Sequence, residues 1–232
     1  MTVAAVILAA SSESALTPIE GLSRVRRVAD AAWSGGAVPI VVVAPDPDGT
    51  VAQALAGAAV TLAEPAPFEG GPIAQILRGI EVASAAVGKT DAVIVWPARM
   101  AWVDPETITS LIEAHGVDHE PIIVPTYRGE PGWPILVPLG ELDRVRAVSP
   151  DRSPDEVFDD LRAAGISERR IELGDPGSVN DASVAAADLP PFEGPTEAAS
   201  GHSHEWGAPI ADRPDDAPLE GPSVAAYGSR NS

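Results

Sequence analysis

Hydrophobic residues recur along the chain with two periods, and these periods predict strands and helices in turn. Val3–Ala10 is apolar throughout, which is typical of a parallel strand buried on both faces. Apolar residues at helical spacing then run from Leu22 to Trp33, and Gly35 and Gly36 end this predicted helix. Further strands are predicted at Pro39–Ala44, Val60–Ala63, Asp91–Trp96, Pro121–Tyr127, Trp133–Pro138 and Arg170–Leu173.

Residues that favour helix ends locate the other helices. Asp104 is suited to cap a helix that begins at Pro105, and Ser153 with Glu156 forms a capping box before another helix. Gly165 ends that last helix. The remaining two helices are predicted at Val51–Ala56 and Gly71–Ala86.

The order of these elements predicts an α/β three-layer sandwich. Residues 128–132, which join two of the strands, are too few for a crossover helix, so this pair is predicted to be antiparallel. The sheet is therefore expected to be mixed but mostly parallel. Ligand chemistry in such a fold is expected at the carboxyl ends of the early strands.

The composition changes near residue 188 and divides the chain in two. We predict one domain over residues 1–187 and a disordered, acidic, proline-rich tail over residues 188–232, which has few aliphatic residues and no apolar period. The prolines that mark the tail are Pro190, Pro191, Pro195, Pro209, Pro214, Pro218 and Pro222. His202 and His204 are the tail's only imidazoles, and we interpret them as solvated residues without a scaffold for a metal ion.

Charge and cysteine content exclude several classes of function. The chain has 34 acidic and 15 basic residues, a net charge of −19, and no cysteine. Neither a nucleic acid nor an anionic membrane is an expected partner, because both would meet like charge. Thiolate metal sites and cysteine nucleophiles are excluded. Val3–Ala10 is too short to span a membrane and lacks a basic flank of the kind that signal peptides have, so we expect a cytoplasmic protein.

Five segments between Met1 and Val184 resemble motifs of the MobA-like NTP transferases, in the family's order. The family motifs are L-A-A-G-x-S-x-R-x-G-x-x-K, G-P-L-A, V-L-V-L-x-x-D-M-P-F-V-x-P-E, P-V-Y-x-G-x-x-G-H-P and D-P-G-x-x-x-D. The matching segments are Val6–Ala10, Gly71–Ala74, Val93–Glu106, Pro125–Pro134 and Gly174–Asp181. The resemblance implies a GT-A type fold and an enzyme that couples CTP or GTP to the molybdenum cofactor.

The resemblance also implies the positions of the binding residues. A glycine loop would hold the triphosphate, cationic side chains would contact the phosphates, and carboxylates would bind Mg²⁺. Asp181 is the carboxylate that remains for the metal. The residues expected to bind the nucleotide are Leu8, Ala9, Ala10, Ser11, Ser12, Gly71 and Ala74.

The chain departs from the family pattern at the positions that carry the chemistry. Ser11 replaces the first signature glycine, Glu13 adds a negative charge to the loop, and no lysine follows it. Arg99 stands at the aspartate of D-M-P and cannot ligate a metal ion. We therefore predict that Arg99 contacts Asp181 directly or through one water. We also predict that the backbone at Ser11 avoids positive φ and opens relative to a phosphate cradle.

Three hypotheses for function remain open at this point. The first is a catalytically degenerate member of the family that keeps its fold to bind a nucleotide or a protein partner. The second is an active nucleotidyltransferase that moves an NMP from an NTP to a phosphorylated acceptor such as molybdopterin, with Mg²⁺. The third is an adaptor or assembly protein that binds a partner through its acidic tail. The residues themselves require no cofactor; Mg²⁺ and an NTP are implied only for an active enzyme.

Overall fold

The computed structural model describes residues 1–194, and its strands and helices follow the predicted order. The strands are β1 (Val3–Leu8), β2 (Pro18–Ile19), β3 (Leu22–Ser23), β4 (Ile40–Val43), β5 (Val60–Ala63), β6 (Ala92–Pro97), β7 (Ile122–Tyr127), β8 (Glu130–Pro131), β9 (Ile135–Pro138) and β10 (Glu168–Glu172). The helices are α1 (Ser12–Leu16), α2 (Arg24–Ser34), α3 (Thr50–Ala54), α4 (Gly71–Ala86), α5 (Pro105–Val117), α6 (Leu142–Arg146) and α7 (Pro154–Ala163).

An eight-stranded mixed sheet forms the centre of the fold. Its order is β10-β7-β9-β6-β1-β4-β5, and β8 pairs with β7. Strand β9 is antiparallel to both of its neighbours, whereas β1, β4, β5 and β6 are parallel. The predicted antiparallel pair around residues 128–132 is therefore confirmed. Strands β2 and β3 form a separate hairpin that leads into α2.

Helices cover both faces of the sheet. Residues Val3–Ile7 of β1 are all buried, although successive side chains of a strand point to opposite faces. Helix α4 packs on β1 and β4 and contacts α6 and α7, while α2 contacts α5. At Gly79 of α4 a Cβ would lie 2.2 Å from Cγ1 of Val6, so this helix approaches the sheet very closely. The predicted α/β three-layer sandwich is confirmed.

The structure differs from the prediction where burial is one-sided or the element is short. Strand β10 begins at Glu168, two residues before the predicted Arg170. The prediction missed these residues because β10 is an edge strand and its first side chains are polar. Its Glu168 carboxylate pairs with Arg162 and Arg170. Residues 12–16, interpreted as part of a polar loop, form the short helix α1.

The start of the predicted tail lies against the domain. The backbone N–H of Glu193 donates to the carbonyl of Gly174 at 2.9 Å, and the Glu193 carboxylate pairs with Arg128 at 2.7 Å. The disorder predicted for residues 195–232 lies outside the described residues and stays a prediction. Within residues 1–194 no helix combines the length and apolar character that a membrane crossing requires.

Candidate nucleotide site

The carboxyl ends of three parallel strands place Leu8 and the loop that follows it at one edge of the sheet. Leu8, the last residue of β1, is in register with Val43 of β4 and Pro97 of β6. The backbone N–H of Ala9 donates to Val43, and that of Ala98 donates to Leu8. The loop from Ala9 to Ser11 therefore starts at this edge, as a fold of this class requires.

The loop after β1 is closed by its own hydrogen bonds. Ser11 has φ −153°, so the predicted avoidance of positive φ at this residue is confirmed. Its Oγ accepts from the N–H of Ser14 at 3.0 Å, while the Ser12 hydroxyl donates to the carbonyl of Pro45 at 2.7 Å. Helix α1 is only five residues long and has Glu13 in its first turn. The hydroxyls of Ser11 and Ser12 and the amide of Ser14 are thus engaged within the protein.

Gly71 and Ala74 lie apart from the cleft that contains Arg99 and Asp181. Gly71 has φ +62°, and an added Cβ would lie 1.7 Å from the carbonyl oxygen of Pro150. The segment before α7 therefore covers the start of α4. Ala74 lines a different groove, together with Pro65 and other residues. Neither residue lines the cleft of Arg99 and Asp181.

A cleft of about 430 Å³ lies between four segments at the carboxyl edge of the sheet. Its walls come from the loop after β6, from β8 and the turn that follows, from the start of α7 and from the loop after β10. The backbone N–H of Ala182 donates to the carbonyl of Arg99 at 2.8 Å, so the Arg99 and Asp181 loops do converge. The principal polar side chains on the walls are Arg99, Glu130, Asp155, Asn180 and Asp181.

Arg99 pairs with Asp155 rather than with Asp181. Its Nη2 lies 3.1 Å from both carboxylate oxygens of Asp155, and the indole N–H of Trp133 donates to the same carboxylate at 2.8 Å. The Arg99 guanidinium also lies 5.9 Å from the centre of the Trp133 ring. The direct contact between Arg99 and Asp181 was therefore a wrong prediction. The prediction failed because Asp155, 56 positions after Arg99, enters the cleft from the first turn of α7 and pairs with the guanidinium.

Asp181 is held in its ionised form by its own neighbours. Its Oδ1 accepts from the backbone N–H of Ser183 at 2.8 Å and from the Ser183 hydroxyl at 2.6 Å. These hydrogen bonds lower the pKa of Asp181, and the positive charges of Arg99 and Arg24 lower it further. Water-mediated contact between Arg99 and Asp181 stays a prediction.

Arg24 is a second cation at this edge, and sequence reasoning missed it. Arg24 begins α2, and its Nη1 donates to the hydroxyl of Ser14 at 3.3 Å. Its Nε is buried without a hydrogen-bond partner among the described residues. The only sequence signal was the basic run of Arg24, Arg26 and Arg27 at the start of an amphipathic helix, which is also typical of a solvated face.

A buried carboxylate fixes the loop that carries Asp181. Asp175 is 2% exposed and accepts from the backbone N–H groups of Asp104 and Gly177 and from the Thr107 hydroxyl. Burial raises the pKa of Asp175, although these hydrogen bonds oppose the change. The side chain thus ties the loop after β10 to the start of α5. We assign Asp175 a positioning role, since its oxygens are used within the protein.

The residues of the cleft do not fit a magnesium site. Across residues 1–194 no three histidine, cysteine, aspartate or glutamate side chains converge in a way that could hold a metal ion. Mg²⁺ requires several oxygen ligands in near-octahedral geometry. One oxygen of the Asp181 carboxylate is bonded to Ser183, and Asp155 is paired with a guanidinium. A cation at this position would also meet the charge of Arg99.

Comparison with known proteins agrees with this fold. Many solved structures resemble the chain, and three of them illustrate the likeness. A nucleotidyl transferase from Methanothermobacter thermautotroptrophicus is 20% identical, with a TM-score of 0.62 over 74% of this chain and 87% of that one. A Mycobacterium tuberculosis protein in complex with manganese is 18% identical, with a TM-score of 0.58 over 74% and 88%.

The third is 2-C-methyl-D-erythritol 4-phosphate cytidylyltransferase from Thermus thermophilus, which is 16% identical with a TM-score of 0.57 over 78% of this chain and 92% of that one. These likenesses show the fold alone. The search of curated proteins gave no match. Residues 5–165, which are most of the chain, match the MobA-like NTP transferase domain. With the sheet order, the converging loops and this match taken together, the chain belongs to the MobA-like NTP transferase family of nucleotidyltransferases.

Proposed function

We propose that this protein binds the phosphates of a nucleotide in the cleft without magnesium and transfers no nucleotidyl group. The observation that carries the proposal is Arg99, a cation at the position where the family resemblance implies a metal-binding aspartate. Arg99 Nη1 is buried and has no hydrogen-bond partner among residues 1–194. A buried donor without a partner costs about 1–3 kcal/mol, and a phosphate oxygen would remove that cost.

Arg24 is a second cation that acts on Asp181 and supports the proposal. Both guanidinium groups are close enough to this carboxylate to lower its pKa, and each has a buried N–H group without a partner in the described part of the chain. Two such cations can offset part of the negative charge of a diphosphate or triphosphate, as the absent lysine and metal would. Because arginine stays protonated at any relevant pH, this binding needs no ion from solution.

The same side chains argue against catalysis. Nucleotidyl transfer requires stabilisation of the charge that develops on the phosphate and on the leaving pyrophosphate. Loss of a single electrostatic stabiliser typically costs ~10²-fold to 10³-fold in rate. Here the signature lysine is missing and Arg99 replaces the metal aspartate. With both groups missing, the protein keeps the fold of a nucleotidyltransferase and binds a nucleotide without catalysing transfer.

Isothermal titration with CTP, GTP, ATP and UTP tests the binding half of the proposal. We expect at least one nucleotide to bind, and Arg99→Ala and Arg24→Ala each to weaken it by about tenfold or more, since a charge-assisted hydrogen bond contributes about 1.5–3 kcal/mol. Arg146→Ala is the matched control, because Arg146 is exposed, pairs with Asp143 and does not line the cleft. Equal loss in all three variants, or no binding by the wild type, would contradict the proposal.

An active enzyme is the second candidate, favoured by membership of a nucleotidyltransferase family. It would move an NMP from an NTP to a phosphorylated acceptor such as molybdopterin. Pyrophosphate release with each NTP, with and without Mg²⁺, separates the two candidates. Release above background that is lost in Asp181→Ala would establish the enzyme. Release at background level, together with measurable nucleotide binding, supports the proposal.

A further inference from the structure

The two outer strands of the large sheet differ in how they are protected against further pairing. Among residues 1–194, β10 and β5 are the ends of the path that runs through this sheet. An outer strand has backbone groups without a partner and is a template for another chain, so charged side chains commonly protect it. Strand β10, Glu-Arg-Arg-Ile-Glu, has four charged residues, whereas β5, Val-Thr-Leu-Ala, has none. The edge at β5 is therefore the one that is open to a further strand.

The outward backbone groups of β5 belong to Val60 and Leu62. The backbone N–H of Ala44 donates to the carbonyl of Ala63 at 3.3 Å, so Ala63 faces β4. Both backbone groups of a strand residue point to the same side, and successive residues alternate, so Thr61 also faces β4. The N–H and C=O groups of Val60 and Leu62 then point away from the sheet, where no other strand of residues 1–194 pairs with β5.

The side chains of β5 hold the strand in place and leave one position free. Val60 and Leu62 are half-buried and pack against the core, and Ala63 is buried. Thr61 is exposed. The strand is thus fixed by its own packing, and a threonine at its centre is the side chain that a neighbouring strand would meet.

We propose that two copies of the chain pair through β5, antiparallel, about a two-fold axis at Thr61. In this register Val60 of one copy and Leu62 of the other exchange both backbone hydrogen bonds, so every outward group of these two residues gains a partner. The two Thr61 side chains lie directly opposite each other, and threonine pairs across antiparallel strands are favourable. A two-fold contact requires such a self-complementary surface.

The distribution of charge along this edge fits a second copy. Residues 58–63 are Ala-Ala-Val-Thr-Leu-Ala, and the first charged residue after them is Glu64. In the proposed register Glu64 lies opposite Ala58 of the other copy, so no two like charges meet across the paired strands. No residue of β5 lines the cleft of Arg99 and Asp181, and the pairing does not depend on the proposed function.

A single introduced cysteine tests the register. The chain has no cysteine, so Thr61→Cys provides one thiol per copy. Opposite residues of this kind have Cα atoms about 4.5 Å apart, which is within the roughly 4.4–6.8 Å that a disulfide spans. We expect treatment of the full chain with oxidised glutathione to give a disulfide-linked dimer. Arg169→Cys, at an exposed position of β10, is the matched control and is expected to stay monomeric.

Sedimentation equilibrium of the cysteine-free full chain is the second measurement. High salt is used, because the net charge of −19 on each copy opposes association and salt screens this repulsion. We expect the mass of two chains for the wild type. Thr61→Lys should give the mass of one chain, since two like charges would then lie opposite each other. Ala163→Lys, which adds the same charge at an exposed position of α7, should stay dimeric.

Three results would overturn the proposal. They are a wild-type chain that stays monomeric, a Thr61→Lys variant that associates as strongly as Ala163→Lys, and an Arg169→Cys variant that cross-links as readily as Thr61→Cys. Because Thr61 is exposed, both of its substitutions leave the fold intact, and circular dichroism checks this. A monomeric wild type would leave the β5 edge to an extended segment of another protein.

Discussion

Arg99 and its neighbours determine the chemistry that the cleft allows. The guanidinium is shared between the Asp155 carboxylate and the face of Trp133, and its remaining buried N–H faces no acceptor in the described residues. An aspartate at this position would instead have offered lone pairs to a metal ion. Under the proposed function, this single side chain makes the cleft a site for an anion instead of a cation.

Removal of the Asp155 charge is expected to strengthen nucleotide binding. Asp155→Asn takes one negative charge out of the cleft and releases Arg99 to a phosphate, so the dissociation constant for the preferred nucleotide should fall several-fold in calorimetry. The unfolding free energy should change by no more than about 1 kcal/mol, because this ion pair is largely exposed. Asp143→Asn is the control, because Asp143 is in an exposed ion pair and does not line the cleft. Weaker binding in Asp155→Asn would show that Asp155 itself contacts the ligand.

Gly71 offers a test of how closely the segment before α7 covers the start of α4. Gly71→Ala combines an unfavourable positive φ with a Cβ placed 1.7 Å from a backbone oxygen, and a backbone atom cannot move aside cheaply. We expect a loss of about 1–3 kcal/mol of unfolding free energy in urea denaturation. Gly88→Ala is the matched control, since nothing lies within 4 Å of its added methyl group. Equal stability of the two variants would contradict the close contact with Pro150.

At the scale of elements, strands with an apolar run were predicted closely, whereas β10 was predicted only in part. Strands β1, β4 and β6 are buried on both faces, so their apolar runs identify them without ambiguity. Edge strand β10 has the sequence Glu-Arg-Arg-Ile-Glu, in which no apolar pattern exists to find. Helix α1 has one buried residue, Ala15, and depends on the cap at Ser11.

The sequence predicted only those parts of the candidate site that lie in loops directly after strands of the sheet. The loops of Arg99 and Asp181 converge as the resemblance implied, because both follow strands of one sheet. Asp155 lies in the first turn of α7. The capping box of this helix was recognised in the sequence, but the sequence did not show that the first turn faces the cleft. Arg24 comes close enough to Asp181 to lower its pKa because it follows the hairpin of β2 and β3, and strands of two residues are not recognisable in a sequence.

Helix α5 is expected to make the stability of the domain depend on pH. Burial and the neighbouring His119 lower the pKa of His115, while Asp91 and Asp118 oppose this change. Since the folded pKa lies below the unfolded one, the stability contributed by neutral His115 is complete above the unfolded pKa of about 6.5 and is lost as the pH falls. Urea denaturation in EDTA between pH 8 and pH 5 should show this loss, and His115→Gln should reduce the slope. An unchanged slope would contradict the assignment.

For the whole molecule, the described domain extends past the predicted boundary at residue 187. The bond from Glu193 to Gly174 and its ion pair with Arg128 hold residues 188–194 beside the sheet edge. Gly174 has φ +65° and lies in close contact with Gly194. The end of the folded unit is therefore better placed after Gly194 than before Asp188.

Two truncations test that boundary. A chain that ends at Gly194 is expected to keep the melting temperature of the full protein, because the described contacts are all retained. A chain that ends at Ala187 should melt several degrees lower, since a loss of about 1 kcal/mol shifts Tm by roughly 2–4 °C in a domain of this size. If the two truncated proteins have the same melting temperature, the folded domain ends at residue 187 as the sequence predicted. Partner capture that requires residues 195–232 would favour the adaptor hypothesis.

The most direct test of the account is the dissociation constant of the preferred nucleotide measured in EDTA and again in excess Mg²⁺. The account holds that Arg99 and Arg24 supply the positive charge, so the two constants should agree within about twofold. Saturation at 100 times the dissociation constant should also raise the unfolding free energy by about 2.7 kcal/mol in EDTA alone. Binding that occurs only with Mg²⁺ would contradict the account, because it would mean that the cleft still holds a metal ion.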